Sequence, residues 1–394
     1  MTPPPRLAII LSHPVQYYSP WFAWLRRHTA LDFRVFYLWE FGVTVRRDRE
    51  FGRAFQWDLD LLSGYDHEFV PNTARDPGTH HFRGLDNPAL TARLAAWRPG
   101  AILFFGYNWL SHQRALWWAR RRDIALLFRG DSHRLGRPRP GLVSRLALGL
   151  LYRQFDAFLT VGAANRDYFH TFGVPADRLF RAPHSVDATR FSPNDSDARR
   201  AAADLRARLG LGDRRVVLFA GKFHAGKDPV GLLRAYLAVA TDRDALVFVG
   251  DGELRGELEA LAQTRPDACV SFLPFANQTE MPSRYLLGDL FALPSVSLYE
   301  TWGLAVNEAM HLERPAVVSD RVGCQQDLVD PGRTGWVFPA GDTDALAATL
   351  RTALALPEAT FATFGRAAAE RAAGYTYAQT TAGLLAALAS LPRV

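Results

Sequence analysis

Short apolar runs recur along this chain, each closed by a glycine or a polar residue and followed by an amphipathic stretch. The recurrence happens twice. In the first half the runs are Leu7–Leu11, Phe33–Leu38, Ala101–Phe105, Ile124–Phe128 and Ala157–Val161. Helical patterns follow after Ser19-Pro20, from Asn87-Pro88 to Trp97, on to about Arg122, over Leu142–Phe155 and over Arg166–Phe172. The segment Glu40–Asn72 reads as a loop or short-strand excursion. A polar, Pro-bounded stretch, Ala182–Pro193, then reads as a linker. Beyond it come Val216–Ala220, Ala245–Val249, Val270–Phe272, Leu290–Leu293 and Ala316–Ser319. Repeated strand–helix units dictate parallel, doubly wound sheets, because a crossover helix returns the chain to the same edge of the next strand. The expected class is therefore α/β with two domains, residues 1–190 and 191–375, and a terminal helix within 376–394. Ligands of such sheets sit beyond the carboxyl ends of the strands, here in a cleft between the domains.

The bulk numbers agree with two cores rather than one, since 394 residues exceed what a single hydrophobic core usually serves. Only Cys269 and Cys324 are cysteine, so neither a disulfide framework nor a cysteine zinc site is expected, and a reducing cytoplasm is the default setting. The first apolar run is too short for a leader, and no uncharged stretch approaches a membrane span. Residues 1–190 hold 26 arginines against 16 acids, while the remainder carries 20 basic residues against 24 acids. A basic first half suits an anionic partner, although no nucleic-acid motif accompanies it. Lysine is nearly absent. Of 46 basic residues only Lys222 and Lys227 are lysine, and both lie in one loop.

That loop, Leu218–Asp228 (LFAGKFHAGKD), follows the first strand of the second series. A glycine at a strand end, Gly221, followed by cations is a phosphate-facing arrangement. Gly250 and Gly252 end the next strand, and Phe275 lies in the stretch Ser271–Ala276 after the third. A fourth junction, Ser297–Glu308 (SLYETWGLAVNE), places Glu300 at the mouth of a helix and Glu308 two turns in. Thr301 is the expected N-cap, leaving the amides of Trp302, Gly303 and Leu304 at the positive helix end. Amides for a pyrophosphate beside carboxylates for hydroxyls suit a sugar nucleotide.

The block from Pro294 to Asp342 (PSVSLYETWGLAVNEAMHLERPAVVSDRVGCQQDLVDPGRTGWVFPAGD) resembles the donor-binding segment of the family 4 glycosyltransferases, retaining enzymes of the GT-B fold. The resemblance implies that Glu300 approaches the donor sugar and phosphates and that Glu308 bonds the ribose. It places Lys222 where the family commonly has arginine, and Lys227 at its lysine position. It sets Gly250 and Gly252 at the nucleotide edge and Phe275 near the nucleobase. It also implies that the last helix, Tyr377–Leu391, crosses back onto the first domain. On the acceptor side the pattern departs from the family. Ser12-His13-Pro14-Val15-Gln16-Tyr17 stands where many members have a glycine pair, which makes His13 and Gln16 candidates. At the fourth strand end His133, Asp131 or Arg129 holds the place of the family's histidine. Tyr107 and Asn108 end another strand facing the cleft. His184 replaces an asparagine of the linker and is read as structural.

A retaining transferase acting on a nucleotide-sugar donor is the reading these residues support, with Glu300, Lys227, His133 and Asp131 as the catalytic group. The acceptor would be a glycan, a lipid-linked glycan or a small molecule. No metal and no cofactor is expected: no D-x-D motif occupies a strand end, and the lysines can neutralise a diphosphate. A non-catalytic sugar-nucleotide sensor that regulates a partner would carry the same donor residues. A nicotinamide dehydrogenase is excluded for want of G-x-G-x-x-G after either first strand. The segment Arg134–Arg153 has two readings: a helix packed on its own sheet, or an interfacial helix touching an anionic membrane from the cytoplasmic side.

Overall fold

The computed structural model describes residues 6–43, 46–47 and 54–391. Part of the Glu40–Asn72 excursion and the last residues of the 376–394 segment lie outside these. The first half supplies β1 (Leu7–Leu11), β2 (Phe33–Tyr37), the pair β3 (Arg46–Arg47) and β4 (Ala54–Phe55), β5 (His67–Phe69), β6 (Ala101–Phe105), β7 (Ala125–Arg129), β8 (Ala157–Thr160) and β9 (Leu179–Arg181). The second supplies β10 (Arg215–Ala220), β11 (Asp244–Val249), β12 (Val270–Leu273), β13 (Leu290–Leu293), β14 (Ala316–Ser319) and β15 (Gly335–Phe338). One sheet runs β5-β2-β1-β6-β7-β8-β9 and the other β12-β11-β10-β13-β14-β15. Pairing within both is parallel, in register Leu7↔Phe33 for β1–β2 and Val216↔Ala245 for β10–β11. Each sheet reverses direction at its first strand, as the doubly wound expectation requires.

Continuous apolar runs follow from burial on both faces. Leu7, Ile9 and Leu11 enter one core cluster while Ala8 and Ile10 enter another on the opposite face. Val216, Leu218 and Ala220 likewise part from Val217 and Phe219. β5 falls within the Glu40–Asn72 excursion, read as loop or short strand, while β9 and β15 fall outside the sequence expectation. β9 is a three-residue edge strand of half-buried and exposed side chains and β15 opens on glycine, so neither shows the buried run that marks a central strand. The linker is packed rather than solvated: Val186 and Phe191 are buried in the second domain's core.

The helix Tyr377–Ser390 returns to the first domain. Thr376 and Gln379 form a capping box at its start. Leu384, Ala387 and Leu388 join the cluster around Leu7 and Ile9. Trp21 Nε1 donates to Thr381 Oγ1 at 3.0 Å, and Thr380 Oγ1 donates to the carbonyl of Pro183 at 2.7 Å. Gly383 permits this approach, because a Cβ there would lie 2.0 Å from the carbonyl oxygen of Arg181. Gly383→Ala should therefore lower unfolding free energy by about 1–3 kcal/mol in denaturant titration. Gly256→Ala, in a helix with open space around it, should be neutral or slightly stabilising. Equal stability of the two variants would refute the close helix–strand contact.

Candidate active site

The carboxyl ends of the two sheets face one another across a cleft of about 620 Å³. The loop after β1 contributes Gln16, Tyr17 and Tyr18, the loop after β7 contributes Asp131, and the linker contributes His184. From the second domain come Gly221, Lys222 and Lys227 after β10, Gly250 after β11, Phe275 after β12, and Glu300, Thr301, Trp302, Gly303, Leu304 and Glu308 after β13. The size suits a small ligand held between domains.

The β13 junction differs from expectation at its cap. Thr301 does not cap the helix Leu304–His311. Gly303 takes that position with φ 92° and no side-chain cap bond. Only glycine fits, since the conformation is left-handed and a Cβ would meet Val322 Cγ1 at 2.8 Å. The first-turn amides of Leu304 and Ala305 have no acceptor within the helix, and both residues line the cleft. Thr301 serves elsewhere. Its hydroxyl donates to Asp131 Oδ2 at 2.8 Å, across the domain boundary. Burial opposes the Asp131 charge, but the adjacent His184 ring and the Thr301 hydroxyl outweigh it and hold the carboxyl at about 2. His184 Nε2 lies 3.8 Å from that carboxylate, in ion-pair range but beyond a hydrogen bond. Burial keeps this imidazole below its ordinary pKa, hence neutral at pH 7.

Glu300 is gripped at both ends. Its carboxylate pairs with Lys227 Nζ. Its carbonyl lies 3.0 Å from His133 Nε2. The Leu135 amide donates to His133 Nδ1 at 3.1 Å, which assigns the ring proton to Nε2 and makes it the donor to Glu300. His133 is buried and does not line the cleft; it meets the cleft through the Glu300 carbonyl.

Glu308 is 1% exposed. Tyr285 donates to its Oε2 at 2.6 Å, while Oε1 has no hydrogen-bond partner in the protein. Burial raises the carboxyl to about 7, with Tyr285, Arg190 and Tyr17 pulling the other way. Gly250 lines the cleft, but Gly252 does not: a Cβ on Gly252 would meet the Phe223 carbonyl oxygen at 2.5 Å, so this glycine lets the lysine loop pack on β11.

Several first-domain candidates also fall outside the lining. His13 is set among Trp39 and Phe41, with burial lowering its pKa to about 4. Arg129 is buried and donates to the carbonyl of Ala182 at 2.7 Å, which ties β7 to the linker. Tyr107 packs on Phe128 and Tyr152, and Asn108 is exposed. Tyr17, Tyr18, His184, His224, Gln278 and Tyr285 line the cleft without having been singled out as site residues. Tyr17 stands next to Gln16 in sequence. Tyr285 and Gln278 meet the cleft only through folding.

The profile of the family described as glycosyl transferases group 1 matches residues 202–371. A D-inositol 3-phosphate glycosyltransferase of Mycolicibacterium paratuberculosis is 33% identical over 337 residues, covering 77% of this chain and 73% of that protein. The chain belongs to this family. The alpha-D-kanosaminyltransferase of Streptomyces kanamyceticus is 34% identical over 192 residues, and the match spans 47% of each chain. Against that protein and two further relatives the chain spans about half of the relative's length, from 44% to 61%. In fold, the chain resembles Anabaena HepE in complex with UDP and glucose, with TM-score 0.73 over 98% of this chain and all of that one, at 18% identity. The architecture is GT-B.

A Glu308 carboxyl raised to about 7 implies a signed pH dependence. The fold favours the protonated form, so this group's contribution to stability is present at low pH and is lost as pH rises toward 7. A ligand hydroxyl donating to the unpartnered Oε1 favours the carboxylate. Affinity for a ligand that donates a hydroxyl to Oε1 should therefore rise from about pH 6 to about pH 8 in the wild type. It should be flat in Glu308→Gln by calorimetry, and parallel profiles would contradict the assignment.

Proposed function

We propose that this protein transfers a sugar from a nucleotide-sugar donor to an acceptor, with retention of anomeric configuration and without a metal ion in the cleft. The observation that carries this reading is convergence. Both lysines of the chain, two uncapped helix amides and the carboxylates of Glu300 and Glu308 line one interdomain cleft. A diphosphate arriving there would share Lys227 with Glu300 and lie against Lys222 and the amides of Leu304 and Ala305. Glu300, drawn off Lys227, would then accept from hydroxyls of the transferring sugar, and Glu308 from the ribose. The acceptor oxygen would attack the anomeric carbon from the side the diphosphate leaves, and the departing phosphate oxygen would take the acceptor proton. Charge builds on the diphosphate as the glycosidic bond breaks, which is where the fixed cations and dipoles act.

The acceptor is proposed to be a glycan, a lipid-linked glycan or a small anionic molecule. Among the described residues no helix is long and apolar enough to cross a membrane. The helix Leu142–Tyr152 packs Leu148, Leu151 and Tyr152 on the domain core but leaves Leu142, Val143, Leu146 and Leu150 58–81% exposed. Arg139 and Arg145 flank them and are also exposed, whereas Arg137 is taken up by the carbonyl of Leu298 at 2.7 Å. This supports peripheral contact with an anionic bilayer.

Donor-side variants should separate by kinetics. Lys227→Ala and Glu308→Ala should each weaken donor binding by about 10- to 100-fold, since charge-assisted bonds contribute about 1.5–3 kcal/mol. Glu300→Ala should chiefly lower kcat, by about 100-fold or more, because its partner changes charge in the transition state. Wild-type donor affinity in both Lys227→Ala and Glu308→Ala would dismiss the assignment. Transfer should persist in excess EDTA. Loss restored by magnesium or manganese would overturn the metal-free chemistry. Sedimentation with anionic vesicles at low salt should carry the protein into the pellet, less so for Leu146→Asp or Arg139→Gln/Arg145→Gln. An empty wild-type pellet would dismiss the membrane contact.

A further inference from the structure

Outside the cleft, the segment 76–84 (DPGTHHFRG) follows β5 in the first domain. Two imidazoles converge there on one carboxylate oxygen. His80 Nε2 lies 3.0 Å from Asp76 Oδ2, and His81 Nε2 lies 3.7 Å from the same atom. The three ligand atoms fall within 4.8 Å of one another, and among the described residues no other group of histidine, cysteine or carboxylate side chains does so. We propose that Asp76, His80 and His81 form a zinc site.

The distances suit that ion. Zinc bonds to imidazole nitrogen and carboxylate oxygen at about 2.0–2.2 Å, which sets tetrahedral ligand-to-ligand edges near 3.4 Å. The two edges at Asp76 lie on either side of that value and the third is within 4.8 Å, so seating zinc requires side-chain rotation in which His81 Nε2 leaves the Asp76 carbonyl. Two nitrogens and one oxygen favour zinc over magnesium or calcium, which prefer all-oxygen shells. Side-chain exposures of 39–54% leave a fourth position open to water.

His81 Nε2 also lies 3.0 Å from the Asp76 carbonyl oxygen, and the rest of the loop backbone is set in place by bonds outside the three side chains. The Gly78 amide donates to the Gly84 carbonyl at 3.1 Å, and the Gly84 amide donates to the His81 carbonyl at 3.1 Å. Asn72 Nδ2 donates to the same Gly84 carbonyl at 2.9 Å. Gly84 tolerates no side chain, since a Cβ there would lie 2.1 Å from the Gly78 carbonyl oxygen, while one on Gly78 would push the His80 ring aside. The loop is anchored to the next unit through Trp109 Nε1, which donates to the Thr79 carbonyl at 3.3 Å, and the Leu110 amide, which donates to the Phe82 carbonyl at 2.9 Å. Preformed ligand geometry reduces the ordering cost of binding. Zinc here would clip the rim of the first domain, with no part in the transfer step.

Calorimetric titration of the metal-stripped full chain with zinc sulfate tests this. One zinc per chain is expected, with affinity at least about tenfold weaker in Asp76→Asn and in His80→Ala/His81→Ala. His28→Ala, on a helix elsewhere in the same domain, should bind as the wild type does. Thermal unfolding of each metal-free variant checks that it folds, and added zinc should raise Tm only in the wild type and His28→Ala. No zinc uptake by the wild type, or equal uptake by the double variant, overturns the proposal.

Discussion

The cleft depends on how the short segment between β13 and the helix Leu304–His311 is held. Its chain has no regular structure from Pro294 to Gly303, yet it carries Glu300, Thr301 and the turn that exposes the helix amides. Three contacts from the first domain hold it: His133 to the Glu300 carbonyl, Asp131 to the Thr301 hydroxyl, and Arg137 to the Leu298 carbonyl. From its own domain, the amide of Gly323 donates to the Glu300 carbonyl at 3.1 Å and that of Cys324 to the Trp302 carbonyl at 2.9 Å. Gly323 allows this, since a Cβ there would strike the Thr301 carbonyl oxygen at 1.9 Å. Glu300 and Thr301 are thus positioned by contacts from both domains at once.

Charge is arranged by residue type as well as by number. Arginines serve the framework: Arg129 ties β7 to the linker, and Arg215 holds the carbonyls of Leu354 and Leu356 at 3.0 and 2.6 Å. A planar, always charged guanidinium suits such fixed multi-acceptor contacts. The two lysines are kept for the cleft, where a compact charge on a flexible stem can follow a phosphate. Opposite them, Glu308 is buried with one oxygen unpaired, a costly state that a ligand hydroxyl would relieve.

What was legible in the sequence follows from what each feature needs. Central strands are buried on both faces, so β1, β6, β7, β10, β11 and β13 announce themselves as apolar runs, whereas β9 has half-buried and exposed residues and leaves no such trace. The lysine loop and the Glu300–Glu308 pair stand out locally, by composition and by helical spacing. The Thr301 cap failed because a left-handed glycine two residues later starts the helix, and Thr301 turned to a partner 170 positions away. A contact of comparable separation, Gln278 with Asp58, explains why Gln278 leaves no trace in the sequence. Tyr285 and His184 likewise reach the cleft only through tertiary contacts with Glu308 and Asp131. His133 and Arg129 stand at a strand end outside the cleft lining, bonded to the carbonyls of Glu300 and Ala182.

Binding of nucleoside diphosphates is the most direct test of the central claim, that Lys222, Lys227 and the helix start form a diphosphate site. Wild-type protein should be titrated by thermal shift and calorimetry with UDP, GDP and ADP, alongside Lys222→Ala/Lys227→Ala. The expected result is that at least one diphosphate raises the wild-type Tm and binds with one-to-one stoichiometry, and that the double variant loses this response while folding normally. Wild-type protein unmoved by every nucleoside diphosphate, or a double variant that responds as strongly, would contradict it.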